Sequence, residues 1–306
     1  MPVRMSLRAG LSSICKGGAE MLKSSDDFYT LHNGVKIPGI GFGTMIDAGS
    51  PEIIKTAIRN GYRNFDTAEI YGNEDTVGQG IREAIEEGLV RRENLFISTK
   101  LWHTHRSHDM ALEYFEKSLK KLRLDYVDLY LIHWPAVSKW HDDWREINSD
   151  TWRGLEEIYR SGRARAIGVS NYKKLHLEAL IEDSEVKPMV NQIEYHPGFS
   201  QFESAEFCTE NGIVVEAWSP LGGGQILGNE IIRSIAEKYK KLPSQVVMRW
   251  IIQKDNIVPL PRTTKESRMQ ESLDIFDFVL SDEDMELIDE LKSIGGYEFD
   301  PDTAQS

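Results

Sequence analysis

Eight short strand-like runs alternate with helical patterns along this chain, and the alternation limits the fold more than any other feature of the sequence. The helical segments carry apolar residues at three- and four-residue spacings, and several begin with Ser, Asn or Thr. No stretch rich in Pro, Gly or Ser divides the series. The strand-like runs cover residues 37–44, 63–68, 95–101, 127–134, 164–171, 189–196, 213–220 and 256–262.

Eight βα units in one domain predict an α/β fold of the closed (β/α)8 TIM barrel type. An open doubly wound sheet would show the same alternation, but the G-x-G-x-x-G fingerprint that usually follows its first strand is missing. Asn33 and Gly34 stand between two apolar runs, which predicts an N-terminal β-hairpin that caps the bottom of the barrel. We expect residues 28–306 to form a single domain and residues 1–27 to form a disordered or poorly ordered extension.

The net charge and the cysteine count exclude several classes of protein. The charge of −13 at pH 7, with no long basic run, argues against a nucleic acid or an anionic membrane surface as partner. No apolar run approaches the ~18 residues of a membrane-spanning helix. Cys15 and Cys208 are too few for a disulfide framework and lack metal-ligand spacing, so we expect a cytoplasmic protein without a bound metal.

The first 23 residues differ in character, because four basic residues accompany the single acid Glu20. An unstructured tail, a start assigned upstream of Met21 and a weak organelle transit peptide are the alternatives. This segment has no patterned apolar face, so we expect a chain that begins at Met21 to match the full chain in melting temperature and in activity. A clear drop in either quantity would show that the segment packs on the barrel.

Polar side chains stand at the C-terminal ends of nearly all the predicted strands. Active sites of TIM barrels lie at that rim, whereas a purely structural barrel has little reason to place Asp, Lys and His there. The sequence therefore predicts a catalytic site at this end. The rim positions are Gly43, Thr44, Asp66, Lys100, His133, Ser170, Asn171, Gln192, Trp218, Ser219, Arg262 and Thr263.

Asp66, Tyr71, Lys100 and His133 come from three successive βα units and together suggest a device for proton transfer. Each alone has an ordinary structural explanation, such as a helix cap, a rim aromatic, a surface charge or a core histidine. A Lys ammonium favours the phenolate of a neighbouring Tyr, and Asp66 would hold that Lys in place. Tyr71 could then act as general acid toward an oxygen that His133 also binds, which indicates carbonyl reduction.

Seven ordered motifs resemble those of the aldo-keto reductase superfamily: GFGT, NFDTAEIYGNE, STKLW, LIHWP, GVSNY, NQIEYHP and WSPLG. The resemblance runs from about residue 28 to the C-terminus. It implies that Asp66, Tyr71, Lys100 and His133 are the catalytic tetrad. It also implies that NADPH binds in an extended pose across the barrel mouth, so the glycine fingerprint of a Rossmann domain is not needed.

The resemblance also assigns cofactor-binding positions. Ser170, Asn171 and Gln192 match the residues that hold the nicotinamide carboxamide, and Trp218 stands where many members stack a Tyr on the nicotinamide ring. The loop SPLGGG at 219–224 matches the loop over the pyrophosphate, where Gly permits close approach. The full set of cofactor positions implied is Gly43, Thr44, Ser170, Asn171, Gln192, Trp218, Ser219, Leu221, Gly222, Arg262, Thr263, Arg268 and Glu271.

The segment 261–272 resembles the family's adenosine-phosphate segment but departs from its usual residues. Arg262 and Thr263 replace the usual Lys and Ser and keep the positive charge and the hydroxyl. Ser272 replaces an Asn, which weakens the expected contact with adenine. A 2′-phosphate can still be met by Arg262, Thr263 and Arg268, so we expect NADPH rather than NADH.

Met45, Trp102 and Trp134 are the substrate-pocket positions that follow from the resemblance, and they suit an aldehyde or ketone with an apolar body. The C-terminal tail is short for the family, which predicts an open, permissive site. We expect a monomer or a weak dimer. Two other functions remain open at this stage. One is a class I aldolase in which Lys100 forms a Schiff base, and the other is a non-catalytic, channel-associated subunit of the same family.

Overall fold

The protein has ten strands, two in an antiparallel pair and eight in a parallel sheet, in a computed structural model that describes residues 22–45 and 50–303. The strands are β1 Phe28–Thr30, β2 Lys36–Pro38, β3 Gly41–Gly43, β4 Asn64–Asp66, β5 Phe96–Leu101, β6 Val127–Ile132, β7 Ala164–Ser170, β8 Val190–Glu194, β9 Val214–Trp218 and β10 Ile257–Leu260.

Strands β3 to β10 pair in chain order, and every pair is parallel. The first and last of them meet where Gly43 N donates a hydrogen bond to Pro261 O at 3.0 Å. Gly41 allows this approach, because a Cβ at that position would lie 2.3 Å from a methyl group of Leu260. The predicted (β/α)8 TIM barrel is confirmed.

Helices cover the outside of the barrel and follow the predicted helical segments. At the first helix, Ser50 Oγ accepts a hydrogen bond from Glu52 N, and Pro51 occupies the first helical position. The sequence TWRGLEEIYRSG at 151–162 has helical periodicity, and the fourth helix begins seven residues before it, at Trp144. The helices are α1 Pro51–Arg59, α2 Glu74–Glu86, α3 His108–Leu122, α4 Trp144–Arg160, α5 Lys174–Asp183, α6 Phe202–Glu210, α7 Glu230–Tyr239, α8 Pro243–Gln253, α9 Glu266–Leu273 and α10 Asp282–Asp289.

The predicted N-terminal hairpin is confirmed as the antiparallel pair β1–β2. Gly34 adopts a φ of 87°, which a residue with a side chain rarely takes. Asn33 Nδ2 donates a hydrogen bond to Arg165 O at 2.9 Å, near the start of β7. The hairpin therefore lies at the bottom of the barrel. The strand predicted at 37–44 is split, since its first part pairs within the hairpin and its last part enters the barrel.

Residues 22–27, the last part of the predicted N-terminal extension, lie against the hairpin. Leu22 is buried, and a Cβ at Gly39 would lie 2.2 Å from its methyl carbon. Ser24 N and Lys23 N donate hydrogen bonds to the carboxylate of Asp27. Residues 1–21, which include Cys15 and most of the basic segment, lie outside the described residues.

All residues of β4, β5, β6, β8 and β10 are buried, as expected for strands covered by helices outside and by side chains within the barrel. Among residues 22–45 and 50–303, no helix combines the length and the apolar character needed to cross a bilayer. Cys208 is buried as a free thiol on α6. The polar groups of the rim stand above this core at the C-terminal ends of the strands.

Candidate active site

Neighbouring strand ends bring the four predicted catalytic residues together. Asp66 ends β4, and Tyr71 ends a short 3-10 turn that closes on Gly72, whose φ is 64°. Lys100 is the penultimate residue of β5. His133 follows β6 directly, and its backbone N donates a hydrogen bond to Leu101 O at 3.0 Å.

Lys100 joins the group by three hydrogen bonds. Its Nζ donates to Asp66 Oδ2 at 2.7 Å, to Thr67 O at 3.0 Å and to Tyr71 Oη at 3.2 Å. The Lys100 side chain is fully buried, and that of Asp66 is only 5% exposed. Burial disfavours the ammonium, but Asp66 and Tyr71 outweigh that effect and raise the pKa of Lys100. Lys100 is therefore positively charged at neutral pH.

The protonation state of Tyr71 differs from the expectation that Lys100 would favour its phenolate. Burial raises the pKa of Tyr71 above its ordinary value, and the positive charges of Lys100 and Arg262 offset only part of that rise. Desolvation outweighs the nearby cations because the phenol lies within the barrel mouth. Tyr71 thus holds its proton at neutral pH, which is the state that a proton donor needs.

His133 faces Tyr71 edge to face, with ring centroids 5.8 Å apart, and Trp102 lies on its other side at 5.1 Å. Burial, reinforced by the charge of Lys100, lowers the pKa of His133 well below its usual range. Its Nδ1 is buried and has no hydrogen-bond partner within the described part of the chain. A neutral imidazole can donate a hydrogen bond from Nε2 but cannot compete with Tyr71 as the acid.

The residues predicted to bind a carboxamide surround Asp66. Gln192 Nε2 donates to Asp66 Oδ1 at 2.9 Å, and Ser170 Oγ donates to Gln192 O at 2.8 Å. Asn171 Nδ2 donates to His133 O at 3.0 Å. Asn171 Oδ1 accepts a hydrogen bond of 2.9 Å from Trp218 Nε1. Asn171 Nδ2 also donates to Ser170 Oγ at 3.1 Å, so four predicted cofactor positions and two predicted catalytic residues share one hydrogen-bonded network.

The loop 219–224 is folded on itself. Ser219 has a φ of 51°, and its carbonyl and hydroxyl oxygens accept hydrogen bonds from Gly222 N and Gly223 N. Gly224 N donates to Leu221 O. These three amides can bind a pyrophosphate only after the turn opens. A Cβ at Gly224 would meet no atom within 4 Å, so this part of the loop is open to a ligand.

The predicted phosphate-binding residues divide into two groups. Arg262 donates hydrogen bonds to Met45 O and, at 3.4 Å, to Tyr297 Oη, so it reaches across the barrel mouth. Thr263 lies in a turn in which its Oγ1 accepts from Lys265 N at 3.0 Å. The remaining predicted residues are the exposed Arg268 and the half-buried Glu271 on α9.

The C-terminal tail narrows the mouth, which corrects the expectation of an open site. The Phe299 ring lies 6.5 Å from Trp134 and from Trp218, and Tyr297 lies 6.1 Å from Trp218. The carboxylate of Glu194 on β8 accepts hydrogen bonds from the backbone N of Tyr297 at 2.7 Å and of Phe299 at 3.4 Å. The tail thus adds two aromatic rings to the predicted substrate pocket. Met45, another predicted pocket residue, is 47% exposed at the edge of the mouth.

Sequence reasoning missed Glu194, Glu216, Tyr297 and Phe299 as parts of the site. The alternation of Tyr297 and Phe299 in the tail was a signal for an aromatic face, and the two glutamates stand within predicted strands. A buried carboxylate in a barrel strand needs a polar partner, so each was a clue to a network. Within residues 22–45 and 50–303, no cluster of three or more His, Cys, Asp or Glu could hold a metal ion.

Comparison with known proteins places this geometry in a family. The sequence model described as "Aldo/keto reductase family" matches residues 33–293. Glyoxal reductase of Bacillus subtilis is 49% identical over 274 residues, which cover 89% of this chain and 95% of that protein. The 9,11-endoperoxide prostaglandin H2 reductase of Trypanosoma cruzi is 44% identical over 282 residues, which cover 89% of this chain and 94% of that protein.

Solved structures show the same barrel. An aldo-keto reductase from a deep-sea metagenome library of the Medee basin has a TM-score of 0.83 and 36% identity, with 91% of this chain and 100% of that chain covered. The aldo-keto reductase of Bombyx mori in complex with NADP has a TM-score of 0.78 and 34% identity, with 88% and 92% covered.

Proposed function

This chain belongs to the aldo-keto reductase family, and we propose that it is an NADPH-dependent reductase that converts aldehydes and ketones to alcohols, with Tyr71 as the proton donor. The observation that carries the proposal is the buried series of hydrogen bonds from Asp66 through Lys100 to Tyr71, with the neutral His133 beside it. This group is suited to protonating an oxygen that becomes negative.

The residues at the mouth fit NADPH. Gln192 Nε2 donates to both Asp66 and Glu216, whereas its Oε1 accepts no hydrogen bond within the described residues and can take one from a carboxamide N–H. Arg268 is exposed and has no ion-pair partner there, so its guanidinium is available for a phosphate. Trp218 and the loop 219–224 would cover the nicotinamide ring and the pyrophosphate after Trp218 releases Asn171 and the turn opens.

The proposed reaction divides between the cofactor and the protein. NADPH would supply the hydride that reduces the carbonyl carbon. Tyr71 Oη gives its proton to the carbonyl oxygen, and the ammonium of Lys100, 3.2 Å away, stabilises the phenolate that remains. His133 donates a hydrogen bond to the same oxygen and orients the substrate. Asp66 keeps Lys100 charged and in place.

The mouth supports small carbonyl compounds with an apolar body as substrates. Trp102, Trp134 and Phe299 line it, and these rings offer area for packing but few polar contacts that would select one compound. The relatives named above carry different activities in their names, a glyoxal reductase and a prostaglandin H2 reductase. We therefore propose a broad specificity, in a cytoplasmic monomer or weak dimer.

The geometry at Lys100 argues against a class I aldolase. A Schiff base needs a neutral amine with access to a carbonyl. Lys100 is fully buried, bonded to Asp66 at 2.7 Å and held in its charged form. An aldolase would also leave Tyr71 and Gln192 without roles.

The proposal is tested by following NADPH consumption with a panel of small aldehydes, ketones, reducing sugars and glyoxal. We expect consumption with several of the aldehydes and formation of the matching alcohols. A purified, folded chain that consumes no NADPH with any member of the panel would contradict the proposed function.

Arg268→Ala is expected to weaken NADPH binding by about 1.5–3 kcal/mol, as for a lost charge-assisted hydrogen bond, and to leave NADH binding nearly unchanged. Only NADPH carries the 2′-phosphate that we assign to Arg268. The measurement is titration of the protein with each cofactor. Arg233→Ala is the matched control, because Arg233 is also exposed on a helix and has no partner within the described residues. Equal losses for both cofactors would rule out the assignment.

A further inference from the structure

Glu216 is a buried carboxyl group inside the barrel that the reaction proposed above does not use. It is the central residue of β9, is fully buried, and projects on the same side of the strand as Trp218, two residues further on. Its Oε2 accepts a hydrogen bond from Gln192 Nε2 at 2.8 Å, and its Oε1 accepts one from Asn64 Nδ2 at 3.2 Å.

Gln192 connects Glu216 to the predicted catalytic residues. The same Nε2 donates to Asp66 Oδ1, and Asp66 Oδ2 is bonded to Lys100, which reaches Tyr71. A continuous series of hydrogen bonds therefore runs from Glu216 to the phenol that we assign as proton donor. Because both carboxyl groups hold the amide nitrogen of Gln192, they also fix its orientation, with Oε1 left for a ligand.

The charges around Gln192 do not balance when the carboxyl groups of Glu216 and Asp66 are both ionised. The groups that face Glu216 are Asp66 on β4 and Lys100 on β5, together with the neutral amides of Asn64 and Gln192. One ammonium would then serve two buried carboxylates, at a cost in desolvation and repulsion. A neutral Glu216 removes the excess negative charge.

Asn64 provides an independent indication that Glu216 can hold a proton. Its Oδ1 is buried without a hydrogen-bond partner within the described residues. Rotation of the amide by half a turn exchanges its oxygen and nitrogen, so Asn64 can donate to an ionised carboxylate or accept from a protonated one. Burial, reinforced by the charge of Asp66, raises the pKa of Glu216 to about 7.

We propose that Glu216 is a positioning residue whose ionisation sets the rate of proton donation by Tyr71, through Gln192, Asp66 and Lys100. The inference rests on the proposed carbonyl reduction. When Tyr71 gives its proton to the substrate oxygen, negative charge develops on the phenolate. A neutral Glu216 leaves the charge of Lys100 to stabilise it, whereas an ionised Glu216 adds a second negative charge to the network and opposes it.

The first test compares the pH dependence of kcat for wild type and Glu216→Gln, between about pH 5 and pH 9. The substitution keeps an oxygen for the Gln192 amide and removes the ionisation. We expect wild-type kcat to fall by about 3- to 10-fold as the pH rises through neutrality, since a shift of about one pKa unit in a general acid changes its rate by that order. Glu216→Gln should keep the higher rate throughout.

A matched control is Glu156→Gln, which also neutralises a buried glutamate. Glu156 lies on α4 and accepts hydrogen bonds from the backbone N of Glu185 and Val186, outside the network of Glu216. Its pH profile should follow that of the wild type. If kcat no longer fell with rising pH in either variant, a specific role for Glu216 would be contradicted.

The second test needs no cofactor and measures the melting temperature against pH. A carboxyl group whose pKa is raised by folding gives the folded state an extra proton between its unfolded pKa, roughly 4.3, and about 7. Wild-type stability should therefore fall as the pH rises through that window, and Glu216→Gln should lack this part of the fall. The melting temperature of Glu216→Gln should therefore rise relative to that of the wild type as the pH increases.

Several results would overturn the inference. If wild type and Glu216→Gln are both active and kcat depends on pH in the same way in both, the role of Glu216 is overturned but the proposed function is not. If the wild type has no reductase activity, the proposed function is overturned as well. If Glu216→Gln does not fold, Asn64→Leu decides the matter. Asn64 binds the ionised carboxylate more strongly than the protonated carboxyl, because a charge-assisted hydrogen bond is the stronger one. Its removal should therefore move the midpoint of the fall in kcat to higher pH. An unchanged midpoint would contradict the inference.

Discussion

Replacement of Tyr71 by phenylalanine is expected to lower kcat for carbonyl reduction by about 10²-fold or more while NADPH binding is retained. The substitution removes the hydroxyl that Lys100 contacts at 3.2 Å and leaves the ring that packs on His133. Burial keeps Tyr71 protonated at neutral pH, so the wild-type group is ready to donate. His133 cannot take over, because its pKa lies well below its usual range and the ring is neutral.

The measurement is single-turnover and steady-state oxidation of NADPH with an aldehyde that the wild type reduces, together with titration of the cofactor. Tyr130→Phe is a suitable control. Tyr130 is fully buried on β6, and its hydroxyl has no hydrogen-bond partner within the described residues, so its removal should change neither folding nor turnover by much. Ordinary turnover by a folded Tyr71→Phe variant would remove Tyr71 from the proposed role.

The position of these residues could be predicted because a parallel barrel carries its polar groups at one rim. Asp66 ends β4, Lys100 lies one residue before the end of β5, and His133 follows β6 directly. The alternation of strands and helices then places all three at one end of the barrel. The hairpin was predictable for a similar reason, since the Asn33-Gly34 pair allows the backbone conformation that the turn requires.

Other features depend on contacts between residues far apart in the chain. The raised pKa of Tyr71 results from a balance between burial and two cations, which the sequence does not reveal. Glu216 lies across the barrel from Asn64, and only the closed sheet brings them together. The tail returns to the mouth because Glu194 accepts its backbone N–H groups, so a short tail still narrows the site.

Substitution of Lys100 tests both the stability of the barrel and the proposed chemistry. Lys100→Met should lower the free energy of unfolding by about 3–5 kcal/mol, because it leaves the Asp66 carboxylate buried without its cation. The same change removes a charge-assisted hydrogen bond to the developing phenolate, so kcat for carbonyl reduction should fall by about 10- to 150-fold. Chemical denaturation and NADPH turnover measure the two effects separately.

A second substitution separates stability from chemistry. Asp66→Asn combined with Lys100→Met removes both buried charges, so the double variant should regain most of the lost stability but none of the lost activity. The control is Lys117→Met, since Lys117 pairs with Glu113 at the same 2.7 Å but the two side chains are 47% and 61% exposed, and an exposed pair contributes little to stability. If Lys100→Met were as stable and as active as the control, the buried pair would have neither role. If the double variant regained activity, the chemistry would not require the charge of Lys100, and Tyr71 would donate its proton without that support.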